Sequence, residues 1–386
     1  MQAWARIAVA GVFVLVAGFQ IVRTAVIGDD RYVAQAATLW PSHPSVVRGK
    51  AMSGVAQAGI ALAPPSTETL GTLQLLAREE PLSIEPFLVE AALAVRNQDY
   101  QRGETLLTEA RRREPRSPAA RFLLADLYLR SGRPLPAMGE MAVLNRLIPA
   151  AATGLAPALA AYARPETVPQ IRAILSTYPE LRDPLLAQLA LDVRNTDMVL
   201  ALAGSRKAST PPGWQQSLLS QLVAAGQYQR AYGLWSRFTG VKAGAPGLFN
   251  PTFGASNAPP PFNWDLGRGA GGVADANRGG LDLLYFGRED LSLAQEVMLL
   301  PPGRYSLAMQ VSGNPSANRI AWKLTCLPSN RGVLNLPLAK GGPVAGTFAV
   351  DRSCPAQRLS LTAEGKEFPQ RSDFRVERLQ LTRVAG

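Results

Sequence analysis

Histidine occurs once in the 386 residues, at His43, and cysteine twice, at Cys326 and Cys354. That supply cannot assemble the usual His-rich or Cys-rich zinc sites, so a structural zinc module is excluded on composition. Acidic residues are also short: 29 Asp+Glu face 40 Lys+Arg, a net charge of +11. A nucleic-acid partner would need that excess concentrated on one element. It is spread instead, with 15 basic against 11 acidic residues over 245–386 and 25 against 18 in the remainder, so no nucleic-acid partner is expected. Catalytic signatures are missing as well. No G-x-S-x-G elbow or phosphate-cradling P-loop is present, and His43 lies far in sequence from any suitable nucleophile. The glycine-rich GRGAGGVADANRGG at 267–280 lacks the flanking strand and helix of a dinucleotide site and reads as a surface loop. The carboxylates form no paired motif. The expectation is a protein that is not an enzyme and holds no cofactor or metal.

What is present begins with an apolar amino terminus. Ile7 to Phe19 is an uninterrupted apolar or glycine stretch, and Ala3 to Val22 makes 20 mostly apolar residues. At 1.5 Å per residue that is about 30 Å of helix, enough to span a membrane. Residues 1–28 therefore read as a signal anchor through 3–22, placing the chain in an inner membrane in a single pass with its bulk in the periplasm. A cleaved signal peptide, leaving a periplasmic or secreted chain, is the alternative. The cysteines agree with export. Cys326 ends the alternating run IAWKLTC and Cys354 follows TFAV, so the two are expected to bridge strands of one domain, the alternative being two buried thiols.

Residues 29–240 carry an internal period. Pro81, Pro115 and Pro149 are spaced by 34 residues and again by 34, each closing a helical stretch. Small residues recur in register, with Ala91 matching Ala125 and Gly103 matching Ala137. This pattern resembles the tetratricopeptide repeat (TPR). In that resemblance Ala91 and Ala125 are the small residues of the first helix, Tyr128 its aromatic and Gly132 the turn glycine. Gly103, Ala137 and Ala110 fall in the second helix, and Pro115 and Pro149 close the units. A third unit places Gly226, Tyr228, Ala231 and Trp235 alike, and the degraded stretches 31–80 and 150–210 read as divergent repeats. The resemblance implies an α-solenoid whose groove holds a protein partner. Tyr100, Phe122, Tyr128 and Trp235 are expected to pack the repeats, and Arg111–Arg113 to form a solvated helix end favourable to the dipole.

At residue 240 the composition changes. Residues 241–262 are dense in Gly, Pro, Asn and Ser and read as a linker with a first strand, and 247–386 as short alternating strands between turns. Leu293, Gln295, Val297 and Leu299 alternate on one face, a turn follows at Pro302–Gly303, and Tyr305, Leu307, Met309 and Val311 resume, in outline a hairpin. Ile320, Trp322, Leu324 and Cys326 share a face. In the last run Phe374 and Val376 are out of phase with Leu379 and Leu381, which predicts a bulge. The fold class is thus multidomain α plus β, a TPR-like α-solenoid followed by an antiparallel β-sandwich.

The opening LFNPTF, the Trp of PFNWDL, and Q-x-V-x-L followed by PPGRYSLAM resemble the jelly-roll carbohydrate-binding modules appended to bacterial polysaccharide enzymes. Such modules stack sugars on aromatic faces and bond their hydroxyls with polar side chains. The candidate glycan contacts implied here are Trp264, Phe262, Tyr285, Phe286 and Gln295. The structural calcium frequent in such modules is left unassigned, because Asp265, Asp282 and Asp373 are scattered. The pairing of domains implies a non-catalytic adaptor in exopolysaccharide or cell-envelope polysaccharide assembly. In it the repeats hold an envelope protein and the sandwich a polysaccharide. The alternatives are a structural scaffold that binds no sugar and, less favoured, a polysaccharide-active enzyme whose carboxylates converge from distant segments.

Overall fold

The computed structural model describes residues 38, 40–61, 63–148, 154, 156–204, 211–241, 247–277, 279–315, 319–338 and 341–384. Twelve α-helices precede eleven strands among these residues. The chain divides into two compact units, residues 1–162 with 173–181, and residues 163–172 with 182–386. The composition change at 240 marks where helix gives way to strand; the compact units divide further upstream.

In the first unit, α1 (Pro44–Ile60) pairs with α2 (Thr67–Glu79), α3 (Glu85–Arg96) with α4 (Tyr100–Arg113), and α5 (Pro118–Arg130) with α6 (Pro134–Leu147). Side-chain caps start several of these helices. His43 Nδ1 accepts from Ser45 N at 3.2 Å, Asp99 from Arg102 N at 3.0 Å and Ser117 from Ala120 N at 3.3 Å, each satisfying an orphan donor. The small residues sit where helices touch. Ala91, Ala110, Ala125 and Ala137 are fully buried. A Cβ on Gly103 would lie 2.8 Å from Val95 Cγ2 and 3.1 Å from Leu127 Cδ1, so a larger residue would force the Val95 and Leu127 side chains of α3 and α5 to shift.

The turns repeat too. Gly132 has φ +73° and Gly226 +74°, and Gln98, 34 residues before Gly132, holds the same left-handed geometry at φ +64°. The next amide closes on the preceding helix in all three: Asp99 N to Ala94 O, Arg133 N to Tyr128 O, Gln227 N to Leu222 O. The backbone period thus survives where the glycine signature is lost. Pro115 is exposed at the end of α4, and Pro149 lies outside the described residues.

The arginine run after Glu109 is knitted into the repeat. Arg111 pairs with Glu140 of α6, and Arg121 Nη1 of α5 lies 2.6 Å from the other oxygen of that carboxylate, which is buried. Arg112 and Arg113 both bond Glu109, and Arg113 also reaches Pro81 O and lies over the Phe87 ring. The first unit also holds α7 (Ala156–Tyr162), and α8 (Val168–Thr177) is divided between the two units, its residues from 173 onward belonging to the first.

The second unit holds α9 (Arg182–Leu189), α10 (Thr196–Ala203), the pair α11 (Gly213–Ala224) and α12 (Tyr228–Thr239), and a jelly-roll sandwich. One sheet orders β1 (Asp265–Leu266), β5 (Leu291–Met298), β10 (Ala356–Glu364), β7 (Arg319–Leu327) and β8 (Gly332–Pro337). The other orders β2 (Arg268–Gly269), β3 (Gly272–Asn277), β4 (Gly280–Tyr285), β11 (Ser372–Val384), β6 (Gly303–Asn314) and β9 (Gly342–Val350). All pairings are antiparallel, and one apolar core lies between the sheets. Trp322, Leu324 and Cys326 face into it as their alternation predicts. The bulge in β11 falls between Glu377 and Gln380, with Arg378 at φ +53°. Cys326 and Cys354 are joined in a disulfide.

Several expectations are corrected. The hairpin across Pro302–Gly303 does not form: β5 and β6 belong to different sheets, so the turn carries the chain from one layer to the other. The glycine-rich run 267–280 is not a loop but supplies β2, β3 and the start of β4, where Gly272 lets the Leu284 carbonyl approach to 2.7 Å of where a Cβ would stand. No strand lies in the described part of 241–262. Residues 247–264 run as an irregular strap because Pro251 and Pro259–Pro261 lack donors and Asn250 and Phe253 take positive φ.

The single-pass inner-membrane placement, and the membrane as a partner through 3–22, are also corrected. Among the described residues no helix is long and apolar enough to cross a membrane. The longest, α1, has 17 residues and carries Arg48 and Lys50, short of the roughly 20 apolar residues a span requires. Residues 1–28, on which the signal reading falls, lie outside the described residues. The compartment evidence the structure carries is the disulfide, which is at home in an oxidising environment.

Candidate functional site

Three of the four aromatic candidates are placed in the interior. Trp264 is buried between Phe253 and Trp322, with ring centroids at 4.9 and 5.7 Å, and its indole Nε1 donates to Asn250 O at 3.0 Å. Phe262 is buried against Tyr232 and Trp235 of α12. Tyr285 is fully buried and its hydroxyl donates to Glu289 O. Phe286 is half-buried at the end of β4, its amide bonded to Gly271 O. None of these four rings lines the pocket that holds Gln295.

That face follows from strand register. Direct cross-strand partners project to the same side of a sheet, so a row of partners is a row of neighbouring side chains. Asp265 stands opposite Gln295, Gln295 opposite Ser360, Ser360 opposite Lys323, and Lys323 opposite Asn335. Five strands thus contribute one polar residue each to a line across the sheet. Their neighbours along β10 and β7, Leu359, Leu361, Trp322 and Leu324, all face the core, which sets the line on the outer side. The adjacent row is Val297, Arg358 and Thr325. Neither row contains an aromatic ring.

The polar line ends in a pocket of about 240 Å³. Asp265, Gln295, Val297 and Arg358 form its floor, Gln216, Ser220 and Val223 of α11 stand on one side, and the strap prolines Pro260 and Pro261 on another. The strap is held here from two sides. Val297 N donates to Pro261 O, and Trp235 Nε1 of α12 donates to Pro259 O at 2.9 Å. Within the pocket Gln295 Nε2 donates to Asp265 Oδ2 at 3.0 Å. Among the described residues the guanidinium of Arg358 has no hydrogen bond or ion pair. The pocket therefore gathers a carboxylate, a guanidinium, two amides and a hydroxyl beside apolar walls, the mixture a polyhydroxylated ring can bond.

Beneath this floor lies a buried acid. Glu296 opposes Leu359 on the core side, and only 1% of it is exposed. Its Oε1 accepts from Phe249 N of the strap at 2.7 Å, and its Oε2 has no partner. Burial pushes its carboxyl well above the usual carboxylate range, the bond from Phe249 N opposing that only in part. The folded chain thus keeps a proton that the unfolded chain releases near its ordinary pKa. Stability is expected to fall as pH rises above that value, by about 1.4 kcal/mol per pH unit, until the folded pKa is passed. Glu296→Gln keeps the acceptor and removes the slope. Its denaturation midpoint should match the parent at pH 4 and exceed it at pH 7; curves that run parallel across this range would refute the assignment.

Gln295 is the candidate that the geometry brings into a site, together with Asp265, Arg358, Ser360, Lys323, Asn335, Gln216 and Ser220. Apart from Asp265, considered only for calcium, sequence reasoning passed over these partners, since no local pattern marks which strands become neighbours. The other two scattered aspartates are paired with Arg375 and Arg371. Among the described residues no group of three or more His, Cys, Asp and Glu is placed to hold a metal ion. In the first unit a separate groove of about 320 Å³ lies between α2, α3 and α4, lined by Leu70, Leu73, Gln74, Glu90, Leu93 and Arg102.

No family model matches the chain, and no curated protein matches it in sequence. Solved structures resemble parts of it. One described as "CBM4 structure and function" is 13% identical over 36% of this chain and 100% of its own, with a TM-score of 0.29. "MamA RS-1 ArsTM double mutant" is 15% identical over 50% of this chain and 92% of its own, at 0.28. A structure of TmCBM61 in complex with β-1,4-galactotriose is 16% identical over 36% of this chain and 100% of its own, at 0.26. At these TM-scores the likenesses carry no argument about what this chain binds.

Proposed function

We propose that the chain is a non-catalytic adaptor of an oxidising compartment, its helical repeats holding a protein partner and its sandwich a glycan in polysaccharide assembly. The observation that carries the glycan half is the polar line Asp265, Gln295, Ser360, Lys323 and Asn335, which runs into the pocket holding Arg358. Recognition on this face works through hydrogen bonds to hydroxyls, because none of the candidate rings lines the pocket. The groove between α2, α3 and α4 is the candidate seat for a protein segment, offering leucines for apolar side chains and Gln74, Glu90 and Arg102 for backbone and charge. The disulfide supports the compartment.

The test is binding of the full chain to an array of secreted and cell-surface bacterial polysaccharides, beside the double variant Gln295→Ala/Arg358→Ala. Both side chains lie outside the core, so the variant should keep its melting temperature and lose at least tenfold in affinity. Burial of Trp264, Phe262 and Tyr285 favours a second reading, a scaffold that binds no sugar. Silence of the folded wild type across the array, with a protein partner still retained, would establish that reading instead.

A further inference from the structure

We infer that the pocket receives the terminal sugar of a glycan chain and that the helix α11 is part of the binding site; this rests on the glycan reading above. The argument is the asymmetry of the polar line. At one end it runs out to Asn335, exposed on the edge strand β8, where a chain can continue freely. At the other it stops. Beyond Asp265 the sheet face is walled by α11 and by the strap, whose Pro261 carbonyl is held by Val297 N and whose Pro259 carbonyl is held by the Trp235 indole. The strap is also pinned to the sheet through Phe249 N on the Glu296 carboxyl. A polysaccharide lying along the line therefore meets α11 and the strap at this end, where the line gives way to a half-open pocket rather than a continuous groove.

The size and chemistry of the pocketed end fit one ring. Its volume of about 240 Å³ is below the roughly 300–1,000 Å³ of pockets that enclose drug-sized ligands. Gln216 and Ser220, four residues apart, share one face of α11 and lie opposite Asp265 and Arg358. The side chains of Gln216 and Ser220 are exposed and, like the Arg358 guanidinium, have no hydrogen bond among the described residues. A ring entering between them gains donors and acceptors on both sides without breaking an existing pair, apart from the Asp265–Gln295 bond it would share. A solenoid helix thus supplies half the specificity of a site whose other half is a sheet.

The experiment uses the full chain and a panel of hexose and uronate oligosaccharides of two to eight residues. Each is tested free, coupled through its reducing end and coupled through its non-reducing end, with calorimetry on the sequences that bind. Affinity per mole of chain should level off by about three residues, long polymer should bind one protein per chain end, and coupling through one end should abolish binding that coupling through the other leaves intact. Gln216→Ala and Ser220→Ala, on an exposed helix face, should each weaken a trisaccharide severalfold and together at least tenfold, with the melting temperature unchanged. Affinity that keeps rising with length, several proteins bound per chain, and indifference to both helix variants would overturn chain-end recognition while leaving glycan binding standing. Absence of binding by the wild type to every glycan would overturn both.

Discussion

Trp264→Ala is expected to destabilise the second unit by about 3–5 kcal/mol, the range for truncating a large buried aromatic. The indole fills the space between Phe253 of the strap and Trp322 of β7 and is 7% exposed, so its removal opens a cavity in a close-packed core. A second loss adds to the first. Its Nε1 holds Asn250 O at 3.0 Å, and Asn250 in turn exchanges side-chain bonds with Gly254 N and O, so the strap loses an anchor at the point where it turns. Chemical denaturation followed by the near-ultraviolet signal of the sandwich tryptophans should show the loss. A change under 1 kcal/mol would mean that Trp264 is not the packed residue described. The same result bears on function: any loss of ligand binding in this variant reports unfolding, and Gln295 and Arg358 are the informative positions.

Glu140→Ala should cost the first unit about 3–5 kcal/mol, the range for breaking a buried ion pair by removing one partner. One carboxylate serves two guanidiniums from different helices, Arg111 of α4 and Arg121 of α5, and the carboxylate itself is 5% exposed. Alanine leaves both cations close together without a counter-charge. Arg121 also donates twice to Pro115 O, so it is not free to swing into solvent without giving up those bonds. Arg111 is more exposed and can relax, which places the cost toward the lower end. Replacing the triad by apolar residues of similar volume is expected to restore most of the stability. A Glu140→Ala protein with the parental denaturation midpoint would show that the triad is a solvated surface cluster.

The helical half was legible because its constraints are local. A 34-residue period in proline and small residues follows from helices that must approach closely at fixed places, and Gly103 shows the reason at a single position. Gln98 marks the limit: the turn geometry recurs there without its glycine, so residue identity alone hides the period. In the sandwich, strands with one buried face were read in the right phase. Trp322 lies in the core, and the β11 bulge was visible as a shift in alternation.

β5 was misread for a physical reason. A register shift opposite Leu361 and Thr362 lets Leu293 and Ala294 both face inward, while the strap and α11 cover Val297 on the outer side. Both faces are then apolar and alternation carries no phase. Its polar residues exchange roles as a result. Gln295 faces the pocket and Glu296, one position along, enters the core. The site itself could not be read from sequence, since Asp265, Gln295, Ser360, Lys323 and Asn335 become neighbours only through a strand order of 1-5-10-7-8.

The most direct test of glycan recognition on this face is hydrogen exchange of the full chain with and without a saturating oligosaccharide selected from the array. Slower exchange should appear in β5, in β10 around Arg358–Ser360 and in α11, with the opposite sheet from β2 to β9 unchanged. Protection confined to that opposite sheet, or to the loops at the ends of the sandwich, would contradict the assignment of the polar line and its pocket as the glycan site.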